Sequence, residues 1–175
     1  AILRSGFLAG LFLFTASSFQ QIGVVYTTAG KAGFITGLYV VIVPLIALFW
    51  RNRTGLVTWV GALMAVAGMY FLSIGGDFSI ARGDLLVLIS AFFWAGHVLI
   101  IGRFSRRIDP IALALVQCSV CSVLSLAAAF ATEEITLSGL YSAAVPIIYG
   151  GVFSVGVAYT FQILAQRHAP AAHAS

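Results

Sequence analysis

Leu85-Leu-Val-Leu-Ile-Ser-Ala-Phe-Phe-Trp-Ala-Gly-His-Val-Leu-Ile-Ile-Gly102 contains no Asp, Glu, Lys or Arg. An α-helix needs about 20 predominantly apolar residues to cross the roughly 30 Å hydrocarbon core of a bilayer, and this run comes close to that length. Five more stretches read the same way: Ser5–Gly30, Gly33–Trp50, Thr54–Gly76, Pro110–Thr132 and Ile135–Gln166. Every charged residue falls in the gaps between them. Hydrocarbon offers no partner to a backbone amide, so each span must bond its amides internally, as a helix does. The expected fold class is therefore all-α: a polytopic membrane protein, a bundle of six transmembrane helices.

Composition points to the same solvent. Hydrophobic residues make up 61% of the chain, charged residues 8%, and mean hydropathy is +1.08. Soluble domains carry about 25% charged residues, so a soluble fold is excluded. The net charge of +4 is spread over several loops rather than gathered on one face, which excludes nucleic acid as a partner. Arg4, Arg51, Arg53, Arg103, Arg106, Arg107 and Arg167 occupy alternate gaps, and only Lys31 and Arg82 occupy the others. By the positive-inside rule the seven arginines are cytoplasmic, so the first span runs outward and the next inward. The expected location is a bacterial inner (plasma) membrane, with the basic loops in the cytoplasm. The chain starts Ala-Ile-Leu-Arg without a Met and stops at Ala-His-Ala-Ser, which reads as part of a longer protein.

Residues 75–83 form the longest polar joint and divide the chain into two sets of three spans, 1–76 and 83–175. Arg51-Asn-Arg-Thr54 and Phe104–Pro110 are shorter connections, with Pro110 placed for a first helical turn. Gly6-xxx-Gly10, Gly33-xxx-Gly37 and Ala91-xxx-Ala95 put small residues one turn apart, where helices can approach closely. Pro44 and Pro146 fall inside spans and predict kinks. Cys118-xx-Cys121 lies mid-span with no second pair and no nearby His. It reads as helix packing, not redox chemistry or metal binding.

A repeat is visible at an offset of 142. Ala16-Ser-Ser-Phe19-Gln20 corresponds to Ala158-Tyr-Thr-Phe161-Gln162, and Ala29 and Ala32 correspond to Ala171 and Ala174. The charge count runs the two segments in opposite directions, as in the inverted repeats of secondary transporters.

Three segments carry a family resemblance. Tyr26-Thr-Thr-Ala-Gly-Lys-Ala-Gly-Phe-Ile-Thr-Gly-Leu-Tyr-Val-Val-Ile-Val-Pro44 resembles the third-to-fourth helix junction of the EamA family, in the drug/metabolite transporter superfamily. Gly83-Asp-Leu-Leu-Val-Leu-Ile-Ser-Ala-Phe-Phe-Trp-Ala-Gly-His97 resembles the start of that family's second repeat. Gln162-Ile-Leu-Ala-Gln-Arg-His-Ala-Pro170 resembles its eighth helix and exit. The resemblance implies a ten-helix transporter of small metabolites or drug-like solutes, built from two inverted five-helix repeats. On that register this chain holds helices three to eight. Residues 1–76 then end the first repeat and 83–175 begin the second. The family has no diagnostic substrate motif, so no substrate is implied.

Polar and amphipathic groups inside spans are the candidate solute contacts, because a polar side chain in hydrocarbon needs a partner or a ligand. They are Gln20, Tyr39, Trp94, His97, Gln117, Tyr159 and Gln162. Helix-to-helix hydrogen bonding is the alternative role for Gln20, His97 and Gln162, and plain packing for Gln117, Tyr39 and Tyr159. His97 is the one ionisable group well inside a span, with Trp94 three residues before it on the same face. No Asp or Glu is expected inside any span, which leaves no carboxylate for proton coupling. No catalytic residue, metal site or cofactor is expected. The expected partners are a small-molecule solute and the lipid bilayer, with self-association into a homo-oligomer left open. Two other readings compete. A helical scaffold without a substrate leaves Gln and His inside spans without a task. A membrane-embedded lipid enzyme needs clustered acids, histidines or a nucleophile set that these spans lack.

Overall fold

The computed structural model describes residues 2–49, 55–73 and 81–168, and among them every regular element is helical. The elements are α1 (Ile2–Val25), α2 (Ala29–Gly37), α3 (Tyr39–Phe49), α4 (Leu56–Ser73), α5 (Arg82–Phe104), α6 (Pro110–Thr132), α7 (Leu137–Ser142), α8 (Ala144–Ile148), a π-helix (Tyr149–Ala158) and α9 (Tyr159–His168). Five segments are long and apolar enough to cross a membrane: Ile2–Val25, Ala29–Leu48, Arg82–Phe104, Pro110–Thr132 and Ala144–His168. α4 adds a shorter apolar stretch, Leu56–Gly68. This is an all-α polytopic membrane protein. The expected turn at 51–54 and most of the joint at 75–83 lie outside the described residues.

Helix ends follow local chemistry. Thr28 caps α2 by accepting from the Lys31 amide at 3.3 Å, and Asp109 caps α6 by accepting from the Ala112 amide at 2.8 Å. Pro110 then takes the first turn, as its missing amide predicts. The second span is interrupted at Leu38, between α2 and α3, with Pro44 buried inside α3. The break thus lies six residues ahead of the proline, just after Gly37. Here Leu38 donates to Ile35 O at 3.2 Å and accepts from Val41 at 2.9 Å and Ile42 at 3.1 Å, tightening the last turn. The last span is broken more thoroughly: Pro146 sits in the five-residue α8, and the chain then runs as a π-helix for ten residues.

The chain divides into two compact units. In the first, built from residues 2–14 and 101–168, α1 and α6 run side by side in the same direction. A Cβ on Gly6 would strike Val116, and one on Gly10 would lie 2.7 Å from the Gln117 carbonyl and from Val120 Cβ. The expected close approach at Gly6-xxx-Gly10 is therefore present. α9 packs on α6; Ile163 and Gln166 are buried on α9, and Pro110, Leu113, Ala114 and Gln117 on α6.

The second unit comprises the described residues between 15 and 100. Here α1 and α5 run antiparallel. A Cβ on Gly83 would lie 2.5 Å from the Gly23 carbonyl oxygen and 2.7 Å from the Tyr26 carbonyl carbon. Phe19 and Phe93 stack across the same seam at 5.9 Å. α3 packs on α5 through Ile42, Val43 and Ala47 against Ala91, Ala95, Val98 and Leu99, so Ala91-xxx-Ala95 is a packing face as expected. Gly33 is different: nothing approaches within 4 Å of its Cβ position. α4 packs on α2 and α3, with Phe34 meeting Tyr70 edge-on at 6.4 Å.

Candidate functional site

Gln20, Trp94, His97 and Tyr39 all fall in the second unit. The Gln20 amide joins three helices: Nε2 donates to Thr36 Oγ1 on α2 at 3.1 Å, and Oε1 accepts from Trp94 Nε1 on α5 at 3.0 Å. Trp94 in turn presents its ring edge-to-face to His97, at 6.1 Å between centroids and 89° between planes. His97 is fully buried. One turn of α5 thus carries a bonded indole and a buried imidazole, held in register by a glutamine from α1. Tyr39, half-buried at the start of α3, packs against the α3–α5 core.

Gln117, Tyr159 and Gln162 fall in the first unit. Gln117 is fully buried on α6, while Tyr159 and Gln162 are half-buried on α9. Among the described residues no group of three or more His, Cys, Asp and Glu is placed to hold a metal ion. The sulfur of Cys121 lies 4.0 Å from Ser125 Oγ, one turn along the same helix.

Ser5, Asp84, Ser90, Ser105 and Gln166 are further buried polar residues, and two of them bear on the site. Asp84 is only 8% exposed and lies in the first turn of α5, so the bilayer-length helix does contain a carboxylate. The Thr27 hydroxyl donates to its Oδ1, and the Ala81 amide donates to Oδ2 at 2.8 Å. That second bond is half of a capping box, in which an acidic side chain in the first turn reaches back to the amide that opens the helix. The other group is Gln166, fully buried on α9, with no hydrogen-bond partner for Nε2 or Oε1 among the described residues. It is the last residue of the charge-free run Ile135–Gln166, next to Arg167. Its spacing from Gln162 and Ile163 was the available signal.

These features give a chain of apolar, bilayer-length helices with polar side chains from several of them buried or half-buried. A model described as the EamA-like transporter family matches residues 81–175. The chain belongs to the EamA-like transporter family. It is 38% identical over 123 residues to an uncharacterized transporter of Archaeoglobus fulgidus, covering 70% of this chain and 39% of that protein. It is 28% identical over 138 residues to the uncharacterized inner membrane transporter YedA of Escherichia coli (strain K12), covering 74% and 45%. An uncharacterized transporter of Acidianus ambivalens is 32% identical over 95 residues, covering 53% and 37%. This EamA-like chain therefore spans less than half the length of the curated relatives it matches. No solved structure matches it.

Proposed function

We propose that this chain is the central part of an EamA-type secondary transporter that moves a small metabolite or drug-like solute across a bacterial inner membrane. Residues 1–76 close the first of two inverted repeats and 83–175 open the second, within a ten-helix whole. The basic loops face the cytoplasm. The solute meets Gln20, Tyr39, Trp94, His97, Gln117, Tyr159 and Gln162, and the chain has no catalytic role.

The Gln20–Trp94–His97 arrangement carries this reading. A polar network inside a membrane bundle is costly to keep unless its members meet one another or a ligand. Tying α1, α2 and α5 through one amide fixes the indole, and a fixed indole gives a solute a rigid aromatic wall beside an imidazole. The relatives' names, each a transporter and one of the inner membrane, support the same reading.

The test is solute flux in proteoliposomes holding the complete protein. His97→Ala is expected to abolish flux while expression and membrane insertion stay at the parental level. Flux unchanged by His97→Ala would sink the assignment of this site.

A further inference from the structure

We propose that Gln166 is a further solute-binding residue: its carboxamide pairs edge to edge with an uncharged solute group that carries a donor and an acceptor side by side, a primary amide or a lactam. The proposal rests on the transport reading above and adds to it a residue and a ligand class.

Three observations carry it. Gln166 is fully buried, yet neither Nε2 nor Oε1 has a partner among the described residues. A buried amide left in that state keeps its full desolvation penalty, so something outside these residues must meet it or the protein tolerates the loss. Second, Ile163 and Gln166, three residues apart, are the buried residues of α9, the helix that packs on α6. Half-buried Tyr159 and Gln162 lie seven and four residues before Gln166, on the same side of α9. Third, the charged neighbour Arg167 is exposed whereas Gln166 is fully buried.

The chemistry selects the ligand. A carboxylate has only acceptors and leaves Oε1 unmet, while an ammonium has only donors and leaves Nε2 unmet. A primary amide or lactam edge satisfies both atoms through two N–H···O bonds in one ring, without bringing a net charge into the membrane.

Thermal unfolding of the complete protein in detergent tests this, with nicotinamide and 2-pyrrolidone as probes and nicotinate as the charged control. The wild type is expected to gain in Tm with the two neutral probes and not with nicotinate. Gln166→Leu is expected to unfold at or above the wild-type temperature without ligand, because it removes an unmet polar group, and to lose the probe-induced shift entirely. Gln166→Met provides a second apolar variant should the leucine not fit. The proposal is overturned by a probe shift that survives these substitutions, or by variants that unfold well below the wild type without ligand, which would show the amide bonded within the complete protein. Absence of any shift in the wild type also overturns it, leaving an ordered water or nothing at Gln166. Flux of the same probes is read separately in proteoliposomes. Binding without flux keeps the site and removes transport, whereas flux untouched by Gln166→Leu, with the shift intact, keeps transport and removes the site.

Discussion

Gln20 shows how one side chain organises this membrane protein. Both ends of its amide bond side chains on other helices, Thr36 and Trp94. In lipid such bonds average well under 1 kcal/mol each, with the best near 2, because alternative partners exist in the unfolded membrane state. Gln20→Leu removes both. The expected cost is about 1–2 kcal/mol, measured as a lower unfolding midpoint of the complete protein in detergent. Solute affinity should fall as well, because the indole beside His97 loses its fixed position. An unchanged midpoint with lost flux would make Gln20 a solute contact alone, and a lower midpoint with full flux would make it a helix tie alone.

At the scale of elements, glycine decides where helices meet. Replacing a helical glycine by alanine ordinarily gains about 0.5–1 kcal/mol. At Gly83 the new methyl would press on the backbone of Gly23 and Tyr26, which cannot turn aside as a side-chain tip does. Overpacking of this kind costs about 1–3 kcal/mol, so the clash outweighs the gain and Gly83→Ala should lower stability. Gly33→Ala meets open space and should be neutral or slightly stabilising in the same unfolding measurement.

The same comparison shows what the sequence could reveal about its elements. Spacing within one helix exposed Gly6 with Gly10 and Ala91 with Ala95. It also suggested Gly33, which has open space around it, and it could not pair Gly23 with Gly83 across 60 positions. Charge-free runs located the bilayer-length helices because desolvation of a charge is the largest local term. The same rule cut α5 short at Leu85, since it could not see Thr27 and the Ala81 amide waiting for Asp84. The ten-residue π-helix was illegible: Tyr149–Ala158 is apolar throughout except Ser154, and a uniformly apolar run does not state its own helical period. At the candidate site the individual residues were legible as polar groups in apolar runs. Their partners were not, because Thr36 reaches Gln20 only through the crossing of α1 and α2.

For the whole molecule the chief fact is its extent. The chain covers 39% and 45% of two transporters it resembles, and it belongs to their family through a match over 81–175. In the last span, residues 151–158 are all exposed, so this side of the π-helix needs lipid or further helices against it. The proposal that the chain occupies the middle of a ten-helix carrier accounts for both. Recovering the coding sequence on either side tests that claim most directly. Two further bilayer-length hydrophobic spans upstream and two downstream are the result this account predicts. A start codon immediately before Ala1 and a stop codon immediately after Ser175 would contradict it.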